Sequence, residues 1–332
     1  MKVLIYRISS IGDIILTTPV LRCLRKQYPD FEIHYITRKR YADLLSSNPY
    51  ISKLWLIKKS PLEIVNELKA EKYDYFIDLH KNWRSQRLMA FLNTKYYTFN
   101  KLNAKKWIYT KLKINLLPNV HIVDRYFAAV KKLNVKNDYE GLDFFFPEDF
   151  NDAIFENKMP ASFIALAIGG TYATKRYPTP HLIDFCRLSK LPIVLLGGKS
   201  EQEAANEIEL SNPGKVINFC NKLSITESAF VLKKSSLVIS NDTGMMHIAA
   251  ALKNPIISIW GNTVPAFGMY PYYPEKLDKK HIIIENLNLK CRPCSKLGYK
   301  KCPKKHFKCM NDISPNLILE KVEFLLNTTE HS

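Results

Sequence analysis

No stretch of this chain approaches the roughly 18–20 uninterrupted apolar residues that a membrane span needs. The opening MKVLIYRISS is broken by Arg7 and is too short for the apolar core of a signal peptide, so a cytoplasmic protein is expected. There is no short-period repeat and no low-complexity segment. No G-x-G-x-x-G follows the first apolar run, so a nicotinamide dehydrogenase, one alternative for such a chain, lacks its phosphate-binding fingerprint. No Asp-x-Asp pair closes an apolar run either, so Mg²⁺ held in that way is not expected. The nearest approach, Asp138-Tyr139-Glu140, lies in a linker-like stretch. Acids are missing from two long segments. Between Asp78 and Asp124 there are nine Lys or Arg and no acid, and between Glu285 and Asp312 there are eight and again none.

What is present is a globular composition, 46% hydrophobic and 24% charged, over 332 residues, enough for about two domains. Lys and Arg number 49 against 31 Asp and Glu, a net charge of +18. Such an excess implies an anionic partner: nucleic acid, an acidic membrane or a phosphorylated substrate. In the first acid-free segment Trp83, Tyr96, Tyr97, Trp107 and Tyr109 are interleaved with the cations. Aromatics among cations suit a membrane interface or a single-stranded nucleic acid, although a solvated surface has the same composition. A basic nucleic-acid-binding module is therefore the second alternative, but no helix-turn-helix, zinc-finger spacing or RNA-binding aromatic motif is found, and no nucleic-acid partner is expected.

Short apolar runs alternate with amphipathic stretches. Val3–Tyr6 reads as a buried strand and residues 13–27 as one helix. Strand 31–36, helix 40–46, strand 53–57, helix 61–70, strand 74–78 and a helix over 121–134 follow. Residues 135–150 break the rhythm with Asn, Asp, Gly and Pro. The alternation restarts with strands at 162–168, 193–196, 215–219, 236–240 and 255–260, separated by helices over 180–190, 200–210, 224–234 and 243–252. Strand–helix alternation predicts an α/β fold of parallel sheets built from βαβ units. Two such domains are expected, 1–145 and 146–332, with ligand bound at the carboxyl ends of the strands in a cleft between them.

Three segments carry chemistry. The first, Arg7-Ile8-Ser9-Ser10-Ile11-Gly12-Asp13, leaves strand 1 and opens a helix. Gly12 permits a tight turn, Ser9 or Ser10 can cap the helix, and Asp13 places a carboxylate in the strand-end crevice. An acid there is also an ordinary helix-start residue, and the helix dipole should keep it ionised. The second, Ser240-Asn241-Asp242-Thr243-Gly244-Met245-Met246-His247, follows an apolar strand and feeds a helix. Its amides and positive dipole end offer an anion site. His247, one turn in, is placed either to pack in the core or to face a phosphate. The third, Gly169-Gly170-Thr171 followed by Lys175 and Arg176, offers backbone N–H groups and point charges.

With these residues in view, VLIYRISSIGDIILTTPVLRCLRKQYP, GGTYATKRYP and SNDTGMMHIAAALKNPIISIWG resemble, in order and over essentially the whole chain, glycosyltransferase family 9, the lipopolysaccharide heptosyltransferases. The Cys-rich stretch near 291–309 resembles the heptosyltransferase II-like branch. The resemblance implies a GT-B fold of two Rossmann-like domains and an inverting, metal-independent transfer of a sugar from a nucleotide diphosphate, without a cofactor. Asp13 matches the family's general base. Asp242, Thr243, Gly244 and His247 match its donor-binding turn, and Gly169, Gly170, Thr171 and Lys175 lie near the donor phosphates. Some relatives carry Lys in the strand where Val194 stands here, so Lys175 and Lys199 would carry more of the diphosphate's charge. Arg7, Ser10 and Gly12 beside the base, with Lys81, Arg84 and Arg87 of the basic segment, are expected to bind a lipid-linked saccharide acceptor. Heptose from ADP-heptose is the expected donor group, and the anionic inner face of the inner membrane is the expected place of work, with the enzyme peripheral on it.

Of seven cysteines, Cys23, Cys186 and Cys220 sit in apolar contexts and read as buried small side chains. Cys291, Cys294, Cys302 and Cys309 fall within 19 residues. Their spacing begins like half of a zinc site, but a disulfide-stiffened loop or free packed thiols fit as well. The eight surrounding cations should lower the thiol pKa values. A structural role beside the ligand cleft is expected in any of the three states.

Overall fold

Parallel strands buried on both faces must be apolar throughout, and the runs Val3–Tyr6, Ile164–Ala167, Ile193–Leu196, Leu237–Asn241 and Ile256–Trp260 are buried at every position. They form the centres of two all-parallel sheets in the computed structural model, which describes residues 1–330. The chain separates into two compact units. The first comprises residues 1–101 and 120–150, the second residues 102–119 and 151–332. This division has one boundary between residues 150 and 151. It is not a single cut, however, because residues 102–119 pack with the second unit.

In the first unit the elements are β1 (Lys2–Tyr6), α1 (Ile11–Ile15), α2 (Thr18–Gln27), β2 (Glu32–Arg38), β3 (Lys53–Ile57), α3 (Val65–Ala70), β4 (Tyr75–Asp78), α4 (Trp83–Met89) and β5 (Lys95–Thr98). After α5 (Asn103–Leu112), which belongs to the other unit, α6 (Ile122–Phe127) returns to the first. The strand order is β3-β2-β1-β4-β5, so the winding reverses between β1 and β4. The helix expected over 13–27 is broken in two. Pro19 has no N–H to give to the Ile15 carbonyl, and the Thr18 hydroxyl donates to it instead at 2.8 Å. Residues 39–44 form 3₁₀ turns in place of an α-helix, and the helix expected to reach 134 ends at Phe127.

The second unit contains β6 (Ile164–Ala167), α7 (Thr179–Leu188), β7 (Ile193–Leu196), α8 (Gln202–Ser211), β8 (Val216–Asn218), α9 (Ile225–Lys234), β9 (Leu237–Asn241), α10 (Gly244–Ala251), β10 (Ile256–Trp260), β11 (His281–Glu285), α11 (Lys308–Asn311) and α12 (Pro315–Glu330). Its order is β11-β10-β9-β6-β7-β8, with the reversal between β6 and β9. Ile318, Val322 and Leu325 of α12 are buried in a core with Leu182, Phe185 and Ile257. In doubly wound sheets a ligand crevice opens where the winding reverses, at the carboxyl ends of the strands. The loops after β1 and β4 meet that condition in the first unit, and those after β6 and β9 in the second.

Candidate active site

At the first reversal, Asp13 is the third residue of α1. The N–H and hydroxyl of Ser10 donate to its Oδ2 at 3.2 and 2.9 Å, and an Arg7 Nη lies 2.5 Å from its Oδ1. Arg7 is buried. Further donors of its guanidinium reach the carbonyls of Ser9 and Leu79 and the Tyr126 hydroxyl. Four of its five N–H groups are thus engaged by the protein, which fixes the guanidinium against Asp13. Burial pushes the Asp13 carboxyl up, but Arg7's charge and the Ser10 hydrogen bonds outweigh it and hold the group down at about 2. The expected ionisation is therefore present, but a buried cation sustains it, and α1 is only five residues long.

Asp78, fully buried at the end of β4, accepts from the backbone N–H groups of His80 and Lys81 and from the Tyr96 hydroxyl. This fixes the turn that presents Lys81 and Arg84. The Lys81 ammonium donates to the Phe99 carbonyl at 3.0 Å, and the Arg84 guanidinium lies 4.8 Å from the centre of the Trp83 ring. Arg87 is exposed in the last turn of α4. Gly12 is buried in α1, while Ser10 is exposed. His80 was not foreseen in the sequence. Its ring stands edge-on to Tyr6 at 6.1 Å, and its buried Nδ1 has no hydrogen-bond partner among the described residues. Burial first, then the charges of Arg7 and Lys101, push its pKa down to about 3, leaving a neutral imidazole in the electrostatic field of Asp13.

At the second reversal, a short turn (Ala173–Lys175) after β6 brings the Lys175 ammonium to 2.6 Å from Asp242 Oδ2. The same oxygen accepts from the Thr263 hydroxyl at 2.8 Å. Thr243 caps α10 in an extended conformation, and Gly244 begins the helix, whose first amides have no intrahelical acceptor. Asn241 fixes the two loops together. Its Oδ1 accepts from the Tyr177 N–H, and its Nδ2 donates to the carbonyls of Ile168 and Gly169. Gly170 accepts from Arg176 Nε at 2.7 Å, and Arg176 also pairs with the buried Glu201, which takes the Gly198 N–H. Thr171 is exposed beside this cluster, Lys199 is exposed after β7, and Val194 is buried within it. His247 is buried in α10. Glu201, Thr263 and Asn241 were not singled out from sequence. The Gly-Gly-x-x-Glu spacing of Gly197 to Glu201 was the one available signal.

The Cys-rich stretch belongs to the same unit and is anchored at the strand ends. The Arg292 guanidinium is buried, donating to the carbonyls of Trp260, Gly261, Thr263 and Asn286 and pairing with Glu285 at 2.9 Å. Cys291, Cys294, Cys302 and Cys309 carry free thiols, and among the described residues no three His, Cys, Asp or Glu are placed to hold a metal ion. The expectation that nearby cations lower the thiol pKa values is overturned for two of them. Burial pushes Cys294 up to about 11 and Cys309 up to about 12. Cys23, Cys186 and Cys220 are buried. No helix among the described residues is long and apolar enough to cross a membrane.

Both reversals thus place a carboxylate and a cation in contact. The model of "Glycosyltransferase family 9 (heptosyltransferase)" matches residues 62–305. Lipooligosaccharide heptosyltransferase 2 of Campylobacter jejuni is 26% identical, over 99% of this chain and 99% of that protein. Lipopolysaccharide heptosyltransferase 1 of Campylobacter coli is 28% identical over 79% and 84%. Among solved structures, a family 9 glycosyltransferase from Veillonella parvula superposes with a TM-score of 0.80 at 21% identity, covering 98% of this chain and 97% of that one. The E. coli ADP-heptose lps heptosyltransferase II superposes with a TM-score of 0.72 at 19% identity, covering 99% and 100%. The two parallel-sheet units have the GT-B architecture of these neighbours, and the chain belongs to glycosyltransferase family 9: it is a glycosyltransferase.

Proposed function

We propose that this enzyme transfers heptose from ADP-heptose to an anionic, lipid-linked saccharide of the lipopolysaccharide core, with inversion and without a metal ion, while peripheral on the inner face of the inner membrane. The names of the similar proteins support the sugar and the pathway. The observation that carries the chemistry is an ionised carboxylate, Asp13, held in a strand-end crevice with only two of its lone-pair sites engaged by Ser10 and one by Arg7. In an inverting transfer the acceptor hydroxyl attacks the anomeric carbon opposite the leaving diphosphate. The new C–O bond forms as the old one breaks, and the hydroxyl proton passes to Asp13. A carboxylate held near pKa 2 is a weak base in the ground state, so it takes the proton late, as the attacking oxygen becomes acidic.

Negative charge grows on the leaving diphosphate and must be met by groups already in place. Lys175 has three N–H donors, of which Asp242 takes one, leaving two for phosphate oxygens. The first amides of α10 and those of Gly169–Thr171 supply neutral donors beside it. Arg7 acts on the base, and Lys81, Arg84 and Arg87 of the basic segment are the cations assigned to the acceptor's acidic groups.

Asp13→Asn tests the assignment. Turnover of ADP-heptose with a core acceptor should fall by roughly two to four decades, the range for loss of a general base. Donor affinity measured by calorimetry should hold. Turnover within about threefold of wild type would remove Asp13 from the chemistry. A panel of nucleotide sugars identifies the donor, and transfer should survive EDTA. Strict dependence on added Mg²⁺ would overturn the charge-neutralisation scheme.

A further inference from the structure

The basic, aromatic segment expected near the acceptor divides between the two units, and its second part has a feature the transfer chemistry does not use. On α5 one face is held by the second unit. Thr110 is buried, Tyr109 stands edge-on to Phe267 at 6.1 Å, and the Lys106 ammonium lies 5.6 Å from the centre of the same ring. At the helix end Lys113 donates to the carbonyls of Thr110, Cys291 and Pro293, fastening the segment to the Cys-rich loop. The outward side is inverted in polarity. Trp107 is 56% exposed, Leu112 58%, Ile114 53% and Leu116 50%, with Lys105 and Lys111 exposed among them. Trp107 and Lys111, one turn apart, lie on one flank of the helix's exposed arc, and Lys105 and Leu112, two turns apart, lie on the other, with the held residues Lys106, Tyr109 and Thr110 on the opposite face.

A soluble protein rarely presents Trp and three aliphatic side chains together on a well-anchored segment without a partner. The absence of any acid from residues 79–123 selects the partner's sign. A helix of ten residues is about 15 Å long, too short to cross a bilayer but suited to lie in its interface, where Trp and Lys are favoured. We propose that Trp107, Leu112, Ile114 and Leu116, with Lys105 and Lys111, form the surface by which this enzyme rests on an anionic lipid bilayer. This deepens the lipid-linked-acceptor reading by naming the residues that meet the lipid. The aliphatic chains enter below the headgroups, and the two ammonium groups pair with headgroup phosphates.

The test uses the full chain and vesicles that contain no saccharide. Wild type should cosediment with phosphatidylglycerol-containing vesicles and not with pure phosphatidylcholine, and its tryptophan emission should shift to the blue. In Trp107→Phe that shift should be lost. Trp107→Ser combined with Leu112→Ser, Ile114→Ser and Leu116→Ser should weaken vesicle partitioning at least tenfold, and Lys105→Gln with Lys111→Gln should abolish the preference for anionic lipid. Because every replaced side chain is exposed, melting temperature and turnover with a deacylated, water-soluble acceptor should be unchanged. Undiminished partitioning of the Ser variant, or a blue shift that persists in Trp107→Phe, overturns the proposal. Absence of turnover in wild type would instead count against the transferase reading and leave the vesicle result standing.

Discussion

Arg7→Met separates the role of Arg7 as a positioning residue from that of an acceptor ligand. The change keeps an apolar stem of similar length and removes every donor of the guanidinium. Asp13 then keeps its burial and its two Ser10 hydrogen bonds but loses the nearby positive charge. Burial is the largest influence on this carboxyl and acts upward, so its pKa should rise from about 2 to above the ordinary 3.8. The sign for stability follows. A carboxyl whose folded pKa is depressed contributes stability above its unfolded value and loses it as pH falls toward the folded value. At about 1.4 kcal/mol per pKa unit, wild-type Asp13 contributes on the order of 2–3 kcal/mol at neutral pH, lost between about pH 4 and pH 2. In Arg7→Met that contribution disappears, and the Leu79 and Ser9 carbonyls lose their donors. A loss of about 3 kcal/mol is expected, the low end for breaking a buried pair, because Asp13 is 23% exposed and water can partly replace the guanidinium.

The assay is the pH dependence of kcat/KM between pH 4 and pH 8, with circular dichroism at each pH to confirm folding. Wild type should show no acidic limb from Asp13 in that range. The variant should show one, its midpoint above pH 4, and activity should recover at higher pH. A folded variant with a flat profile and a raised KM for the acceptor would refute the reasoning and make Arg7 an acceptor ligand after all.

Lys175→Met should weaken ADP-heptose binding by about tenfold or more, the loss of one charge-assisted hydrogen bond to a phosphate, read by calorimetry; unchanged affinity would place the diphosphate elsewhere. Arg22→Met should cost about 3–5 kcal/mol in urea denaturation, because buried Arg22 pairs with both Asp138 and Asp143 and donates to the Gly141 carbonyl, leaving Asp138 only the exposed Lys26 as a cationic partner among the described residues. A change below about 1 kcal/mol would show that this network is offset by its own desolvation. Replacing Cys291, Cys294, Cys302 and Cys309 by Ser should lower the melting temperature, chiefly through Cys309, which is buried against the core, while the folded fraction keeps its turnover. Lost turnover at an unchanged melting temperature would bring these thiols into the chemistry.

Central strands were legible because parallel sheets bury both faces, which leaves unbroken apolar runs in the sequence. The edge strands carry less of that signal. β5, Lys-Tyr-Tyr-Thr, has no fully buried residue, and four of the five residues of β11 are only partly buried. Both escaped the periodicity. Asp13, Lys175 and Asp242 could be found because each sits on a turn directly after or shortly beyond a central strand. The contacts that set their behaviour could not. Arg7 is held by Leu79 and Tyr126, 72 and 119 residues away, and Thr263 reaches Asp242 across 21 residues. His80 lies two residues beyond the end of β4, and its neutrality comes from burial among cations supplied by three other segments.

The two ion pairs show why net charge predicts a partner better than a site. A chain with 49 cations against 31 anions has ample positive charge for a diphosphate, yet each crevice holds a matched pair with a third, hydroxyl-bearing member. On the proposed reading, in which this turn meets the donor diphosphate, a lone flexible Lys would give up rotamer entropy on capturing phosphate. Lys175 already held by Asp242, itself held by Thr263, gives up less, at the cost of sharing its charge. In the other unit the same arrangement runs in reverse, with the cation fixing the carboxylate. The excess charge is carried instead by exposed lysines such as Lys105 and Lys111, where it sets long-range attraction to an anionic surface. Attraction and chemistry are therefore assigned to different residues, so raising the salt concentration should act on the first far more than on the second.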